Sequence, residues 1–238
     1  MLQTLLMMIL FAANLVHAAF NGQQEKRELS LDAAGVETIE IEAGAGSLDV
    51  TGIPGAGRIL VVATIEVPDA DADEAREIIE ETLVLRLEKA GSRAALDGYF
   101  KDSRWSFRES PRVNLDVRVP AGLSLDIEDR SGPVDVRDVT GAIKLDDGSG
   151  SIRVAGNGGT LNIKDGSGSI EIERSGGDVT IDDGSGSIVI AGVEGSVTVT
   201  DGSGSIDVRD IAGDLVVMDD GSGSFDYSGV AGRVVAGN

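Results

Sequence analysis

Asp165-Gly166-Ser167-Gly168-Ser169-Ile170 is one of five copies of a single motif, Asp-Gly-Ser-Gly-Ser followed by an aliphatic or aromatic residue. The copies begin at Asp147, Asp165, Asp183, Asp201 and Asp220, at intervals of 18, 18, 18 and 19 residues. A period this strict is typical of a solenoid, in which each repeat is one coil stacked on the next. An imperfect copy begins at Asp129, 18 residues before the first full one. Regular repeats are therefore predicted over residues 129–238.

Each repeat contains two pairs of aliphatic residues. In the coil of Asp165 the pairs are Ile170/Ile172 and Val179/Ile181. The i, i+2 spacing places both members of a pair on one face of a short strand, and the residue between them on the other face. Two such strands per 18-residue coil predict an all-β fold, a single-stranded parallel β-solenoid with two sheets around a thin aliphatic core. The residues that face outward should form two columns, one of Arg153, Glu171, Val189, Asp207 and Asp226, and one of Lys144, Asn162, Thr180, Thr198 and Val216.

The glycines mark the corners of the coils. A coil of this size must reverse direction within about four residues, and such bends often need a positive φ, which glycine adopts without strain. Gly-Ser-Gly stands at one corner of each coil, and a single glycine stands at the other. The single glycines are Gly159, Gly177, Gly195 and Gly213.

The N-terminal stretch has the pattern of an export signal. Residues 1–18 are mostly apolar and end in Val16-His17-Ala18, with small residues at the positions −3 and −1 of a cut after Ala18. This pattern predicts a secretory signal peptide and an exported protein, located in the periplasm or at the cell surface. A membrane anchor or a buried N-terminal strand is the alternative. We predict a polar, flexible lead-in at residues 19–28 and the β-solenoid domain at 29–238.

Residues 68–112 interrupt the strand pattern. Asp71 and Glu74 form a capping box, which predicts a short helix at residues 73–81. Alternating leucines at 83, 85 and 87 then indicate a strand. We predict that this excursion covers one edge of the solenoid, because open sheet edges invite aggregation.

Composition excludes several classes of function. The chain has no Cys and a single His, His17, which would be removed with the signal peptide. This argues against His-based triads, thiol nucleophiles and ordinary zinc sites. A net charge of −21 argues against binding to nucleic acid or to anionic membranes. No apolar run after the signal approaches the ~18 residues of a membrane span, so no membrane insertion is expected. No cofactor is expected either.

The aspartates that open the repeats are candidate metal ligands. Asp147, Asp165, Asp183, Asp201 and Asp220 should stack in one column, with neighbours ~4.8 Å apart. Ca²⁺ would relieve the repulsion between such carboxylates, with Ser hydroxyls and backbone carbonyls as further ligands. The alternative is that each Asp only accepts backbone N–H bonds within its own turn.

An aromatic and basic stretch is the candidate partner-binding site. It contains Tyr99, Arg104, Trp105, Phe107 and Arg108. These residues could bind a protein or glycan of the cell envelope, or they could pack the excursion onto the solenoid. The C-terminal coil replaces its aliphatic pair with Phe225 and Tyr227, which suit a cover for the column end, although end-to-end self-association is an open alternative.

The signal peptide, the strand-forming stretch at residues 113–122 and the Gly-Ser-Gly coils together resemble a bacterial putative-adhesin domain family of unknown function. The likeness covers residues 29–236. It implies the β-solenoid fold and carries over no catalytic residues. We therefore expect a non-enzymatic, adhesin-like binding or structural module of the bacterial envelope. A Ca²⁺-binding β-solenoid scaffold and a polysaccharide-active β-helix enzyme are the alternatives.

Overall fold

The computed structural model describes residues 11–12, 14–21, 24–101 and 110–237. Its N-terminal part contains nine strands and a helix: β1 (Phe11–Ala12), β2 (Asn14–Asn21), β3 (Gln24–Asp32), β4 (Thr38–Ala45), β5 (Leu48–Ile53), β6 (Arg58–Glu66), α1 (Ala72–Thr82), β7 (Leu83–Ala90), β8 (Arg93–Phe100) and β9 (Arg112–Pro120).

The repeat region adds thirteen strands, most of them five to nine residues long: β10 (Ser124–Ser131), β11 (Val134–Arg137), β12 (Ile143–Asp147), β13 (Gly150–Ala155), β14 (Leu161–Asp165), β15 (Gly168–Ser175), β16 (Val179–Asp183), β17 (Gly186–Val193), β18 (Val197–Asp201), β19 (Ser203–Ile211), β20 (Leu215–Asp219), β21 (Ser222–Val230) and β22 (Val234–Ala236).

These strands form two sheets of 11 strands each. Sheet A has the order β1-β7-β8-β4-β10-β12-β14-β16-β18-β20-β22, and sheet B has the order β2-β3-β6-β9-β5-β11-β13-β15-β17-β19-β21. From β8 in sheet A and from β9 in sheet B, every neighbouring pair is parallel. The chain alternates between the sheets with each strand of a coil, which confirms the predicted β-solenoid.

The core lies between the sheets and is aliphatic. Ile170 and Ile172 of sheet B and Val179 and Ile181 of sheet A are each at most 1% exposed. The ladder pairs Ile170 with Ile188 and Val179 with Val197, so that each inward position is a column of like residues. The two outward columns predicted from the sequence also occur, because Arg153 pairs with Glu171 and the ladders continue this register.

The glycine corners have two different physical causes. Gly168 has φ +151°, and a Cβ there would lie 1.5 Å from the carbonyl oxygen of Gly150 in the preceding coil. Gly177, at the opposite corner, needs no positive φ, but a Cβ would lie 2.4 Å from the carbonyl oxygen of Gly159. The single glycines are therefore required by the close approach of stacked coils rather than by φ.

The first coil is separated from the second along the chain but not in space. β4 and β5 pair directly with β10 and β11, so that Ala43 stands beside Asp129. The chain between them builds the N-terminal end of the solenoid. Its strands β8 and β9 extend the parallel ladders, and β7 and β6 close them with antiparallel pairs.

The helix covers this N-terminal end. The Asp71 side chain caps it by accepting hydrogen bonds from the backbone N–H groups of Asp73 and Glu74, as the capping box predicts. Ala75, Ile78 and Ile79 are buried and belong to the same apolar core as the coils. The excursion thus covers an edge, as the sequence predicts.

The polar stretch at residues 19–28 differs from the expected flexible lead-in. From Gln24 onward it belongs to β3, which pairs with β6 from Gln24–Glu66 to Asp32–Arg58. Glu25 and Arg27 lie on one face of β3 and form an ion pair with an N–O distance of 2.6 Å. This pairing allows two charged side chains to be partly buried in a strand. The predicted cut after Ala18 falls inside β2 and stays a prediction.

Candidate functional site

Five aspartates form a buried column at the corner where sheet A ends and the Gly-Ser-Gly turn begins. Each stands directly beside the next in the parallel ladder of sheet A. We call this set the Asp column; its members and exposed fractions are Asp129 (6%), Asp147 (2%), Asp165 (3%), Asp183 (2%) and Asp201 (0%). Sequence reasoning found four of these residues and counted Asp129 only as an imperfect repeat.

One oxygen of each column carboxyl caps its own turn. In the four full repeats, Oδ1 accepts a hydrogen bond from the backbone N–H two residues later, as Ser167 N–H donates to Asp165 at 3.2 Å and Ser185 N–H to Asp183 at 3.0 Å. This is the turn chemistry for which Asp is suited. The other oxygen, Oδ2, is buried without a hydrogen-bond partner in all five residues.

The column is electrostatically unfavourable when fully ionised. Two unit charges ~4.8 Å apart repel by ~0.9 kcal/mol in water and by ~3.5 kcal/mol at an effective dielectric constant of 20. Burial, followed by the charge of Asp147, raises the pKa of Asp129 to about 7 and that of Asp165 to about 6. Burial is also the main cause that raises the pKa of Asp183 to about 6. It raises the pKa of Asp147 and Asp201 as well.

The column ends before Asp220. The last repeat has one extra residue, and the pairing between β18 and β20 shifts between Val199 and Thr200. Asp220 is only half-buried, and the exposed Asp219 caps the turn instead, accepting from Gly221 N–H at 2.9 Å. Asp220 is therefore not equivalent to the other predicted column residues. The cause is the 19-residue last interval.

Cation binding by the column stays a prediction. Within the residues that the structure describes, no group of three or more Asp, Glu, His or Cys side chains is placed to hold a metal ion. Ca²⁺ takes six to eight oxygen ligands at about 2.3–2.6 Å. The carboxylates that precede the column residues, such as Asp146 and Asp182, lie on the outer face of sheet A.

A second acidic feature lies on that outer face. Asp97, Glu42, Glu128 and Asp146 stand side by side on the successive strands β8, β4, β10 and β12. Glu40 and Asp126 form a parallel pair two residues earlier. We call these six residues the acidic face. The repeat spacing does not predict this face, because β8 and β4 stand beside β10 only through the insertion between the first and second coils.

Basic side chains partly neutralise the acidic face. Arg93 contacts Glu40 at 2.5 Å, Arg130 contacts Glu42 at 3.3 Å, and Lys144 contacts Asp126 at 2.9 Å. Arg86 also forms an ion pair with Asp97. The six carboxylates outnumber these four cations, so that the face has an excess of negative charge.

Two adjoining shallow cavities lie along the acidic face. One, of about 330 Å³, is lined by Glu40, Ile41, Glu42, Ala95, Asp97, Asp126 and Glu128. The other, of about 460 Å³, is lined by Glu42, Glu128, Asp129, Arg130, Asp146 and Gly148. Because Glu42 and Glu128 line both cavities, these two residues stand at the centre of one continuous acidic depression.

The predicted partner-binding residues are only partly described. Tyr99 lies at the end of β8, and the guanidinium carbon of Arg130 lies 5.0 Å from the centre of its ring. This contact places Tyr99 at the border of the acidic face. Arg104, Trp105, Phe107 and Arg108 lie outside the described residues.

Sheet B has a shorter acidic row and an exposed C-terminal end. Asp116, Asp49 and Asp135 stand on neighbouring strands. Burial and the charge of Asp135 raise the pKa of Asp49. At the C-terminal end, the rings of Phe225 and Tyr227 stack with centres 5.3 Å apart. Phe225 packs against the core as the sequence predicts, but Tyr227 is 52% exposed.

The chain matches no protein-family model and no curated protein. Similar solved structures include a putative cell adhesion protein from Clostridium sporogenes, with 9% identity and a TM-score of 0.43, covering 91% of this chain and 100% of that one. A putative adhesin from Bacteroides fragilis has 13% identity and a TM-score of 0.37, covering 89% of this chain and 96% of that one. A putative lipid binding protein from Parabacteroides distasonis has 16% identity and a TM-score of 0.32, covering 92% of this chain and 98% of that one.

The helix content bears on membrane association. Among the residues described, no helix is long and apolar enough to cross a bilayer.

Proposed function

We propose that this protein is an exported, non-enzymatic binding module of the bacterial envelope, adhesin-like in its mode of action, and that it binds its partner through the acidic face. The observation that carries the proposal is the row of four carboxylates at the centre of a continuous depression on sheet A. Parallel ladders hold these side chains in a fixed row with a ~4.8 Å spacing.

The chemistry of this face favours a cationic protein segment as the partner. Rows of carboxylates attract Lys and Arg side chains, and a net charge of −21 adds long-range attraction. A basic segment can replace the existing ion pairs, such as the exposed pair of Arg93 and Glu40, at little cost, because exposed ion pairs contribute only about 0–1 kcal/mol. The depression is open and shallow, which suits an extended segment rather than an enclosed small substrate.

A binding experiment with matched variants tests this proposal. The probe is a fluorescent lysine-rich peptide, and its anisotropy is measured against the whole chain at low and at physiological ionic strength. The double variant Glu42→Gln/Glu128→Gln should bind about tenfold more weakly than the wild type. The control Glu171→Gln/Asp207→Asn removes the same charge from the outer face of sheet B, where both residues also have arginine partners.

Three results decide whether the acidic face is a defined binding site. Selective weakening in the sheet A variant supports the proposal. Equal weakening in both variants would mean that binding follows net charge alone and would refute a defined binding face. Binding of envelope glycans by the wild type, unaffected by either variant, would assign recognition to another surface and a different partner class.

Export needs a separate measurement. We expect expression in a bacterial host, followed by fractionation and mass spectrometry, to give a periplasmic or surface protein whose first residue is Ala19. A cytoplasmic product that begins at Met1 would contradict the export part of the proposal.

A further inference from the structure

The turn engages one oxygen of each column carboxyl in the four full repeats and leaves the other buried without a partner. Oδ1 is occupied by the turn, whereas Oδ2 of Asp147, Asp165, Asp183 and Asp201, and that of Asp129, have no hydrogen-bond partner and almost no contact with solvent. A buried polar atom without a partner is unfavourable, and a buried charge without one is more so. Five such atoms in consecutive coils indicate that the column binds something that completes them.

The surroundings of the column supply further negative charge. The negative charge of Asp146 raises the pKa of Asp147. The charges of Asp219 and Asp220 likewise raise the pKa of Asp201, at the end of the column. At the other end Ala43, which carries no charge, stands beside Asp129. The strands of sheet B that follow each turn direct aliphatic side chains inward; these are Val134, Ile152, Ile170, Ile188 and Ile206.

A proton fits this geometry better than a metal ion. In the four full repeats Oδ1 already accepts from a backbone N–H, so that the column itself offers a cation one unengaged carboxylate oxygen per coil, well below the six to eight oxygens that Ca²⁺ takes. A proton needs only two oxygens, and two stacked carboxyls supply them. Neighbouring column carboxyls stand side by side in the parallel ladder of sheet A, at the strand spacing of ~4.8 Å.

We propose that the Asp column is a proton-binding ladder, in which stacked carboxyl groups share protons through their Oδ2 atoms and make the solenoid more stable in mildly acidic solution than in neutral or alkaline solution. A protonated Oδ2 donates to the neighbouring carboxylate, so that one proton satisfies two buried oxygens and removes one of two repelling charges. The proposal does not depend on the acidic face or on its partner.

The direction of the pH effect follows from the difference between the folded and unfolded states. In the unfolded chain an Asp has a pKa of about 3.9. The folded-state values of about 7 for Asp129 and about 6 for Asp165 and Asp183 are higher, so that the folded state holds more protons between these limits. The contribution of the column to stability is therefore fully present below a pH of about 4 and is lost as the pH rises through 6 and 7.

The test compares two neighbouring residues of β16. Asp183→Asn keeps an oxygen for the Ser185 N–H and replaces Oδ2 by an amide that can donate along the column. Asp182→Asn makes the same change of charge one residue earlier, at an exposed position. Melting temperatures of the wild type and both variants are measured at pH 5 and pH 8, at constant ionic strength.

We expect the wild type to melt about 5 °C or more higher at pH 5 than at pH 8. Asp183→Asn should melt higher than the wild type at pH 8 and show a smaller pH dependence, whereas Asp182→Asn should follow the wild type. The same pH dependence in Asp183→Asn as in the wild type would refute the ladder.

Two further measurements on the wild type keep the proposal testable if a variant does not fold. Unfolding by urea in weakly buffered solution at pH 6 should release about two protons per molecule. Release of none would contradict the proposal. At pH 8, a few millimolar CaCl₂ should raise the melting temperature no more than NaCl of equal ionic strength. A larger, saturable effect of Ca²⁺ would overturn the proposal and identify the column as a cation site.

Discussion

Four glycines allow the two causes of glycine at the corners to be measured separately. Gly122 has an ordinary φ and no atom within 4 Å of an added Cβ, and Gly55 has φ +72° and the same open space. Gly177 has an ordinary φ and a backbone oxygen 2.4 Å from the added Cβ, and Gly168 combines φ +151° with an oxygen at 1.5 Å. The substitution Gly122→Ala therefore serves as a control that involves neither cause. Gly55→Ala tests the positive φ alone, Gly177→Ala tests the close approach alone, and Gly168→Ala tests both together.

The expected costs follow from these geometries. Gly122→Ala should be neutral or slightly stabilising, because it only reduces the freedom of the unfolded chain. Gly55→Ala should cost about 1–2 kcal/mol for a left-handed φ. Gly177→Ala should cost about 1–3 kcal/mol, as overpacking does. In Gly168→Ala the coils of Gly150 and Gly168 must also separate, which weakens ladder bonds such as Gly150 N–H to Ser167 O at 3.0 Å and brings the total to about 3–6 kcal/mol.

Urea unfolding followed by circular dichroism measures these free energies. The order of stability should be Gly122→Ala, then Gly55→Ala and Gly177→Ala, then Gly168→Ala, with an unchanged denaturant slope wherever the variant folds. If Gly168→Ala is as stable as Gly55→Ala, close stacking of the coils does not explain the glycine at this corner, and the reasoning is refuted.

Three other predictions concern the repeats and the surfaces. Deleting residues 165–182, which form one coil, should leave a folded protein, because Asp183 then takes the ladder position of Asp165. Deleting residues 165–173, half a coil, should abolish the cooperative thermal unfolding transition. Equal melting curves for the two deletions would contradict interchangeable coils. Trp105→Ala separates the two hypotheses for the aromatic stretch, and we expect the packing role: a marked fall in melting temperature would support it, because loss of a packed Trp costs several kcal/mol, whereas an unchanged melt with loss of partner binding would indicate a binding site. Sedimentation should show end-to-end self-association that becomes stronger with salt, because salt screens the net charge of −21. The variant Tyr227→Lys should weaken this association, because Tyr227 is exposed at the C-terminal end. A monomer at all salt concentrations would exclude self-association.

The sequence predicts those features that depend only on the period. Inward pairs such as Ile170/Ile172 and the outward columns follow from spacing within one coil or its multiples, and the structure confirms them. The capping box of α1 is a separate local signal, because Asp71 and Glu74 are three residues apart, and the structure shows Asp71 capping the helix. A residue and its neighbour in the next coil are simply 18 positions apart.

Features that depend on the insertion could not be predicted in this way. Glu42 and Glu128 are adjacent in sheet A although 86 residues separate them, so that the acidic face has no signature in the sequence. Residues 24–28 of β3 are predicted as lead-in because their polarity suggests solvent, whereas Glu25 and Arg27 neutralise each other within the strand. The left-handed corner residues Asp138, Arg174 and Asp210, with φ of 56° to 57°, alternate with Gly156, Gly192 and Gly229, and nothing in their side-chain types marks the position.

The turn itself does not explain why the column consists of aspartate. The hydrogen bond from Ser185 N–H needs a single oxygen, and an Asn side chain at position 183 would supply it without burying a charge. Asn would also donate an amide N–H to the next coil and form an uncharged ladder. Asp at all five buried positions, each with its second oxygen unpaired, leaves a role for that oxygen beyond capping. Because protonation makes Oδ2 a donor and deprotonation makes it a charge, only Asp allows the number of interactions along the column to change with pH.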